Sequence, residues 1–215
     1  PTPREPRRTP WQPEPRPAAP LSAPSQWTAV ETGQDWLAER LLDRRMVTLA
    51  GRLDPDAANR ATASLALLDA SADDPVQLRL CDVDADLDVA VTVLDTLDLM
   101  GVPVHATCLG KLTGAAVAIL AVADRRIAAP HAILHLREPR TRHCGHPRDI
   151  TAHAEHHERL LRMLQERIAG ACRRPADTVA ADMRAGRVLT AEEARGYGLV
   201  DAIIADRTRR SPARS

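Results

Sequence analysis

The side chains that could serve as nucleophile and base are spread over the middle of the chain. Cys108 and His135 stand on two segments whose residue pattern predicts strands, and a thiol beside an imidazole is the pair that cysteine hydrolases use. Alternation along a strand sends many such side chains into the core, so a packing role is the favoured interpretation. A Cys108/His135 pair remains open as the alternative.

Two further clusters contain residue types that bind metal ions. Asp82, Asp84, Asp86 and Asp88 alternate before a predicted helix. They lack the glycine and the distant glutamate of a calcium-binding loop, and the helix dipole favours carboxylates there without any metal. The favoured interpretation of this cluster is therefore a charged helix start.

Seven of the eight histidines fall between residues 131 and 157. His153 and His157 share a helix face at a spacing of four, which can chelate zinc, and His143, Cys144 or His146 could complete such a site. A polar interface surface that responds to pH is the favoured interpretation. We expect neither a resident metal nor a cofactor.

Composition narrows the class of protein. The 29 basic and 29 acidic residues balance, so the chain as a whole has no field that would attract nucleic acid or an anionic membrane. No apolar run approaches the roughly 20 residues of a membrane-spanning helix. Four scattered cysteines without a C-x-x-C pair predict free thiols and a cytoplasmic location.

Strand-like and helix-like segments alternate along the chain, which predicts the α/β class with a parallel sheet. Helices are predicted over 36–45, 54–68, 87–100, 115–123 and 150–172, with strands over 46–50, 77–81, 103–109, 126–129 and 132–136 and a turn over 110–114. Residues 1–26 form a Pro/Arg-rich tail and 207–215 a short basic tail. They flank one predicted domain over 27–206.

The order and the amino-acid sequences of these segments resemble those of the ClpP family of Clp protease proteolytic subunits over about residues 34–206. The most specific motif is Leu189-Thr-Ala-Glu-Glu-Ala-Arg-Gly-Tyr-Gly-Leu-Val-Asp201, and Arg126-Ile-Ala-Ala-Pro130 is similar to the family's strand before its histidine. The resemblance implies a ClpP/crotonase-like fold, a spiral of repeated β-β-α and βαβ units with a projecting handle helix.

The family's serine peptidase mechanism needs a serine, a histidine base and an orienting aspartate. Motif by motif, the resemblance puts Gly114 at the serine, Arg137 at the histidine and Gly186 at the aspartate. Glycine has no nucleophile, and a guanidinium remains protonated and cannot accept a proton. The triad is therefore predicted to be lost.

The loop that receives the oxyanion is also altered. Asp84 and Ala85 replace its flexible glycines, and Ala115 is the third degenerate position. Thr113 precedes the vacated serine and could be a substitute nucleophile, although capping the next helix is the favoured interpretation. Cys108, Thr113 and His135 form the alternative pocket.

These substitutions predict a catalytically inactive ClpP-like subunit with a structural or regulatory role. The family resemblance implies self-association into heptameric rings, mixed rings with active paralogues and a Clp ATPase as a further partner. The alternative is an enzyme with a rebuilt site, either a Cys/His hydrolase or a crotonase-like enzyme.

Overall fold

The computed structural model describes residues 36–139 and 147–204, and the side chains of 147–152 lie outside that description. The described residues from 37 onward belong to one compact unit. The described helices are α1 (36–42), α2 (Pro55–Ser71), α3 (Leu87–Leu99), α4 (Ala116–Ala121), α5 (Pro147–Cys172), α6 (Ala176–Ala185) and α7 (Ala191–Tyr197). The described strands are β1 (Met46–Leu53), β2 (Val76–Ala85), β3 (Val104–Gly114), β4 (Arg125–Ala128), β5 (Ile133–His135), β6 (Val188–Thr190) and β7 (Ala202–Ile203).

A mainly parallel sheet organises these elements in the order β1-β2-β3-β4-β7. The last part of β3 also pairs in parallel with β5, and β5 pairs with β6 in the antiparallel sense. Helices connect the parallel strands, as crossover connections require. The predicted α/β class with a ClpP-like fold is confirmed.

Aliphatic side chains fill the core, as expected from a sequence without phenylalanine. Fully buried residues come from the central strands, from α4 and from the second half of α5; among them are Leu78, Leu80, Leu112, Ile119, Leu134, Leu164 and Ile168. Within the described part of α5, residues 153–156 and 158–159 are exposed, and complete burial begins at Leu164. The first part of this long helix therefore exposes its side chains and does not pack on the core, as expected of a handle.

The central strands are longer than predicted. β2 continues through Asp82 to Ala85, and β3 continues through the predicted turn at 110–114. The extension forms because Lys111–Thr113 pair with β5, a partner that local sequence does not disclose. Predicted bounds of 46–50 and 77–81 were too short as well, because β1 and β2 continue to pair beyond their bulges, as far as Leu53 and Ala85.

A bend crosses three strands immediately before the candidate site. Gly51, Asp82 and Gly110 all have left-handed backbones, with φ of 70°, 53° and 81°, at bulges in adjacent strands. The carboxylate of Asp82 accepts a hydrogen bond from Lys111 N at 2.9 Å. Beyond this bend β3 exchanges its partner β4 for β5, which brings the end of β5 beside the ends of β2 and β3.

Among the described residues, no helix is both long and apolar enough to cross a bilayer.

Candidate functional site

Gly114 occupies the junction between β3 and α4. Its φ of 62° is left-handed, and a strand that passes through such a residue into a helix resembles the elbow that exposes a nucleophile. A Cβ added at Gly114 would lie 3.5 Å from the carbonyl oxygen of Arg137 and 3.9 Å from Oδ1 of Asp84. Three positions that are distant in sequence therefore meet here.

Arg137 and Asp84 form an ion pair across this junction. Arg137 Nη2 lies 3.4 Å from Asp84 Oδ1, and the two side chains are 28% and 51% exposed. The backbone beside Arg137 is held from both sides, because Leu136 N donates to the Arg187 carbonyl and Glu138 N to the Met183 carbonyl. The site thus contains a guanidinium and a carboxylate next to a residue without a side chain.

The strand register brings the oxyanion positions to the same place. Asp84 lies beside Thr113 and Ala85 beside Gly114 in the β2–β3 pair. Ala85 and Ala115 are both buried, at 5% and 0% exposure. A carboxylate is therefore present where the family resemblance requires groups that stabilise negative charge.

Gly186 ends α6 with a left-handed φ of 69°, and its amide donates to the Met183 carbonyl. The Asp182 carboxylate, one turn earlier, is already engaged. It accepts a hydrogen bond from the Tyr197 hydroxyl at 2.7 Å and one from the Arg187 guanidinium at 3.2 Å. This Asp182–Arg187–Tyr197 cluster was not predicted from the sequence, because Tyr197 on α7 reaches Asp182 only in the folded chain.

His135 stands beside Thr113 in the β3–β5 register, with Nε2 3.7 Å from the Cβ position of Gly186. Burial lowers the pKa of His135, and the positive charges of Lys111 and Arg137 lower it further. A hydrogen bond with the backbone of Gly186 and the charge of Asp84 act in the opposite direction. His135 is thus a mainly neutral ring close to the position that the resemblance assigns to an aspartate.

The predicted alternative pair of Cys108 and His135 does not form. Cys108 lies beside Leu80 and Ala128, whereas His135 lies beside Thr113, about five residues or roughly 16 Å further along β3. The thiol is fully buried, and burial raises its pKa to about 12. Its Sγ lies 3.9 Å from the Gly110 carbonyl oxygen, to which the thiol donates.

Thr113 is brought next to both His135 and Asp84, but its predicted role at the next helix was wrong. α4 begins after Ala115, and no side chain caps its start. Thr113 remains in the strand, where its side chain is 9% exposed. The strand extension described above is the reason.

Three of the four aspartates in and after β2 bind other groups of the chain. Asp82 accepts from Lys111 N, Asp84 faces Arg137, and Asp86 pairs with Arg52 at 3.0 Å. Across residues 36–139 and 147–204, no group of three or more His, Cys, Asp or Glu side chains is placed to hold a metal ion.

Two of the histidine candidates for a metal, His153 and His157, lie on α5. The other two, His143 and His146, lie outside the described residues, as do the two predicted tails. The histidine cluster therefore stays a prediction.

The amino-acid sequence matches known proteins of one family. A family model described as Clp protease matches residues 31–207. A relative from Rhodococcus jostii (strain RHA1) is 30% identical over 176 residues, covering 80% of this chain and 86% of its own. One from Streptomyces coelicolor (strain ATCC BAA-471 / A3(2) / M145) is 30% identical over 201 residues, covering 91% and 92%.

Both relatives carry the name ATP-dependent Clp protease proteolytic subunit 3. The sheet, the long helix and the strand-to-helix junction define the chain as a ClpP-type α/β protein. It belongs to the Clp protease family.

Proposed function

We propose that this chain is a Clp-family subunit without Ser-His-Asp peptidase activity, which takes a structural or regulatory place in a ring-shaped Clp-type assembly. The observation that carries the proposal is the meeting of Gly114 with the Arg137–Asp84 ion pair. At the position where a nucleophile would be presented, Gly114 offers no hydroxyl or thiol, and the nearest charged groups, Arg137 and Asp84, form an ion pair.

The chemistry of these groups supports the loss of activity. Arg137 has donors only and stays protonated, so it cannot take a proton from a nucleophile. The half-exposed Asp84 carboxylate lies 3.9 Å from the Gly114 Cβ position, where it would repel the negative charge of a tetrahedral intermediate. Removal of a single triad member already costs several orders of magnitude in rate, and here three positions differ.

His135 is the group nearest to a general base, and its position limits what it can do. It lies on the Gly186 side of the site, and its ring is surrounded by Lys111 and Arg137. Its register neighbour Thr113 is almost completely buried. A Thr113 hydroxyl activated by His135 would thus have little access to a peptide.

Assembly is the function that remains. Proteolytic subunits of this family associate into rings, and several large apolar side chains of the described region are exposed in the single chain. Leu99 is 85% exposed, Leu67 61% and Val188 55%. Burial of such side chains against neighbouring subunits or a Clp ATPase would stabilise a complex by about 25 cal/mol per Å² of apolar surface.

Mixed rings with active paralogues belong to the same proposal. A subunit with an intact sheet and an ion pair in its site could change ring assembly or substrate entry without cutting. We further propose that residues 27–206 form the assembling domain, with residues 1–26 and 207–215 as tails. A cytoplasmic location is in keeping with the three described cysteines, which are free thiols.

Two measurements on purified protein test the proposal. Sedimentation velocity at micromolar concentration is expected to show a heptamer or a larger species, and a strict monomer would contradict the assembly role. A fluorogenic peptide should be hydrolysed no faster than in buffer, with an active Clp proteolytic subunit as the positive control. Hydrolysis that disappears on changing Asp84 or Arg137 would contradict the inactive site.

A further inference from the structure

The two buried side-chain nitrogens that lack a hydrogen-bond partner in the described part of the chain lie in one place. They are Nδ1 of His135 and Nε of Arg137, which stand on the same side of the chain at the end of β5. Buried polar atoms nearly always have a hydrogen-bond partner, so two unpaired nitrogens in one place mark a site that lowers the stability of the fold.

Charged groups reach His135 from three elements. Lys111 comes from β3, Asp84 from β2 and Arg137 from the segment after β5. On the side of β6 and α7, Arg187 is occupied by Asp182, and Glu193 caps its own helix at Thr190. Within 36–139 and 147–204, two cations and one carboxylate therefore act on His135, and Arg137 already contacts that carboxylate.

We propose that protonation of His135 loosens the antiparallel pair of β5 and β6 from the end of β3. Protonation would add a third positive charge near Lys111 and Arg137, where Asp84 is the one anion acting on His135 among the described residues. Protonated His135 and Arg137 would compete for Asp84, and β5, together with its partner β6, would separate from Thr113 and Lys111 to relieve the repulsion. This inference depends on the fold and on these charges, and does not depend on whether the site cuts peptides.

The outer face of the β5–β6 pair is only partly covered in the single chain. Leu134 and Leu189 face the core, whereas Ile133 and Val188 on the other face are 39% and 55% exposed. β6 pairs with β5 alone among the described strands. Loosening would therefore alter a partly apolar surface that a neighbouring subunit could use.

The sign of the pH effect follows from the neighbouring charges. The pKa of His135 is lowered in the fold, so the unfolded chain binds a proton more readily than the folded chain. The contribution of His135 to stability is complete above the ordinary pKa of about 6.5 and declines as the pH falls below it.

Histidine C2-hydrogen exchange, followed by mass spectrometry of peptides, gives the titration midpoint of His135 in an assembly of any size. The midpoint is expected below about 6.5. Lys111→Gln should raise it and Lys111→Arg should leave it unchanged; Lys111 is exposed and is the one lysine of the chain. A midpoint at or above 6.5, or one that Lys111→Gln does not raise, overturns the proposal.

Amide exchange on the same samples tests the loosening. After correction for intrinsic rates, protection at 133–136 and 187–190 should fall at least threefold on acidification through the His135 midpoint. His135→Asn should abolish this dependence, whereas His131→Asn, at an exposed position just before β5, should preserve it. Equal pH dependence in His135→Asn and in the parent overturns the proposal, and if His135→Asn does not fold, the Lys111 series decides.

Discussion

Restoring a serine at the vacated position tests both the backbone geometry and the lost chemistry. Gly114→Ser adds a side chain at φ of 62°, which costs about 1–2 kcal/mol because left-handed backbone disfavours a Cβ. The added Cβ finds ordinary contact distances of 3.5 and 3.9 Å, so no clash is added to that cost. We expect a folded protein that is less stable by about 1–2 kcal/mol.

Gly198→Ala is the matched comparison. Gly198 also has a left-handed backbone, with φ of 95°, but a Cβ there would lie 2.9 Å from the Cys172 carbonyl oxygen and 3.1 Å from its Cα. Backbone atoms cannot move aside cheaply, so the loss is expected to be about 2–5 kcal/mol.

Urea unfolding at one fixed protomer concentration gives both values, since association makes apparent stability depend on concentration. Gly114→Ser is also expected to leave peptide hydrolysis at the background rate, because Arg137 and Asp84 remain. A larger loss in Gly114→Ser than in Gly198→Ala would refute the geometry, and hydrolysis by Gly114→Ser would show that another group, such as His135, serves as base.

Two further predictions concern the hydrogen bonds of Arg126 and the reactivity of the cysteine thiols. Arg126 donates to Asp201 and to the carbonyl oxygens of Ala171 and Gly198, the last two at 3.1 and 2.8 Å. Arg126→Lys should therefore lower the free energy of unfolding in urea by about 2–3 kcal/mol. Arg125→Lys, at an exposed neighbouring position, should lower it by less than about 0.5 kcal/mol. A loss in Arg126→Lys no larger than in Arg125→Lys would show that the guanidinium network adds nothing. Cys81 should react with a thiol reagent at pH 8 well before Cys108 and Cys172, whose pKa values burial raises to about 12 and about 11, and rapid labelling of native Cys108 would revive the cysteine-hydrolase hypothesis.

As far as residue 172 the sequence predicted the order of elements well, because hydrophobic periodicity and turn residues are local signals. No helix or strand was predicted beyond that residue, where α6, β6, α7 and β7 lie. It failed where a distant partner decides the structure. Residues 110–114 look like a turn, yet pairing with β5 keeps them in a strand. Thr113 consequently stays in that strand and leaves the start of α4 uncapped.

The candidate site was predictable in part. Motif positions selected Asp84, Gly114 and Arg137, and the structure brings these three residues together. The surroundings of His135 were not predictable, because they depend on the β3–β5 register and on the α6 terminus at Gly186. The same register shows why Cys108 and His135 are far apart.

The central claim is that the chain presents no activated nucleophile at the junction of β3 and α4. A fluorophosphonate probe, which captures activated hydroxyl nucleophiles, tests this most directly when the purified assembly is incubated with excess probe and weighed by intact mass spectrometry. We expect the unmodified mass, with an active Clp proteolytic subunit labelled to completion in parallel. A stoichiometric adduct on a residue beside Gly114, such as Thr113, that is absent after prior heat denaturation would contradict it.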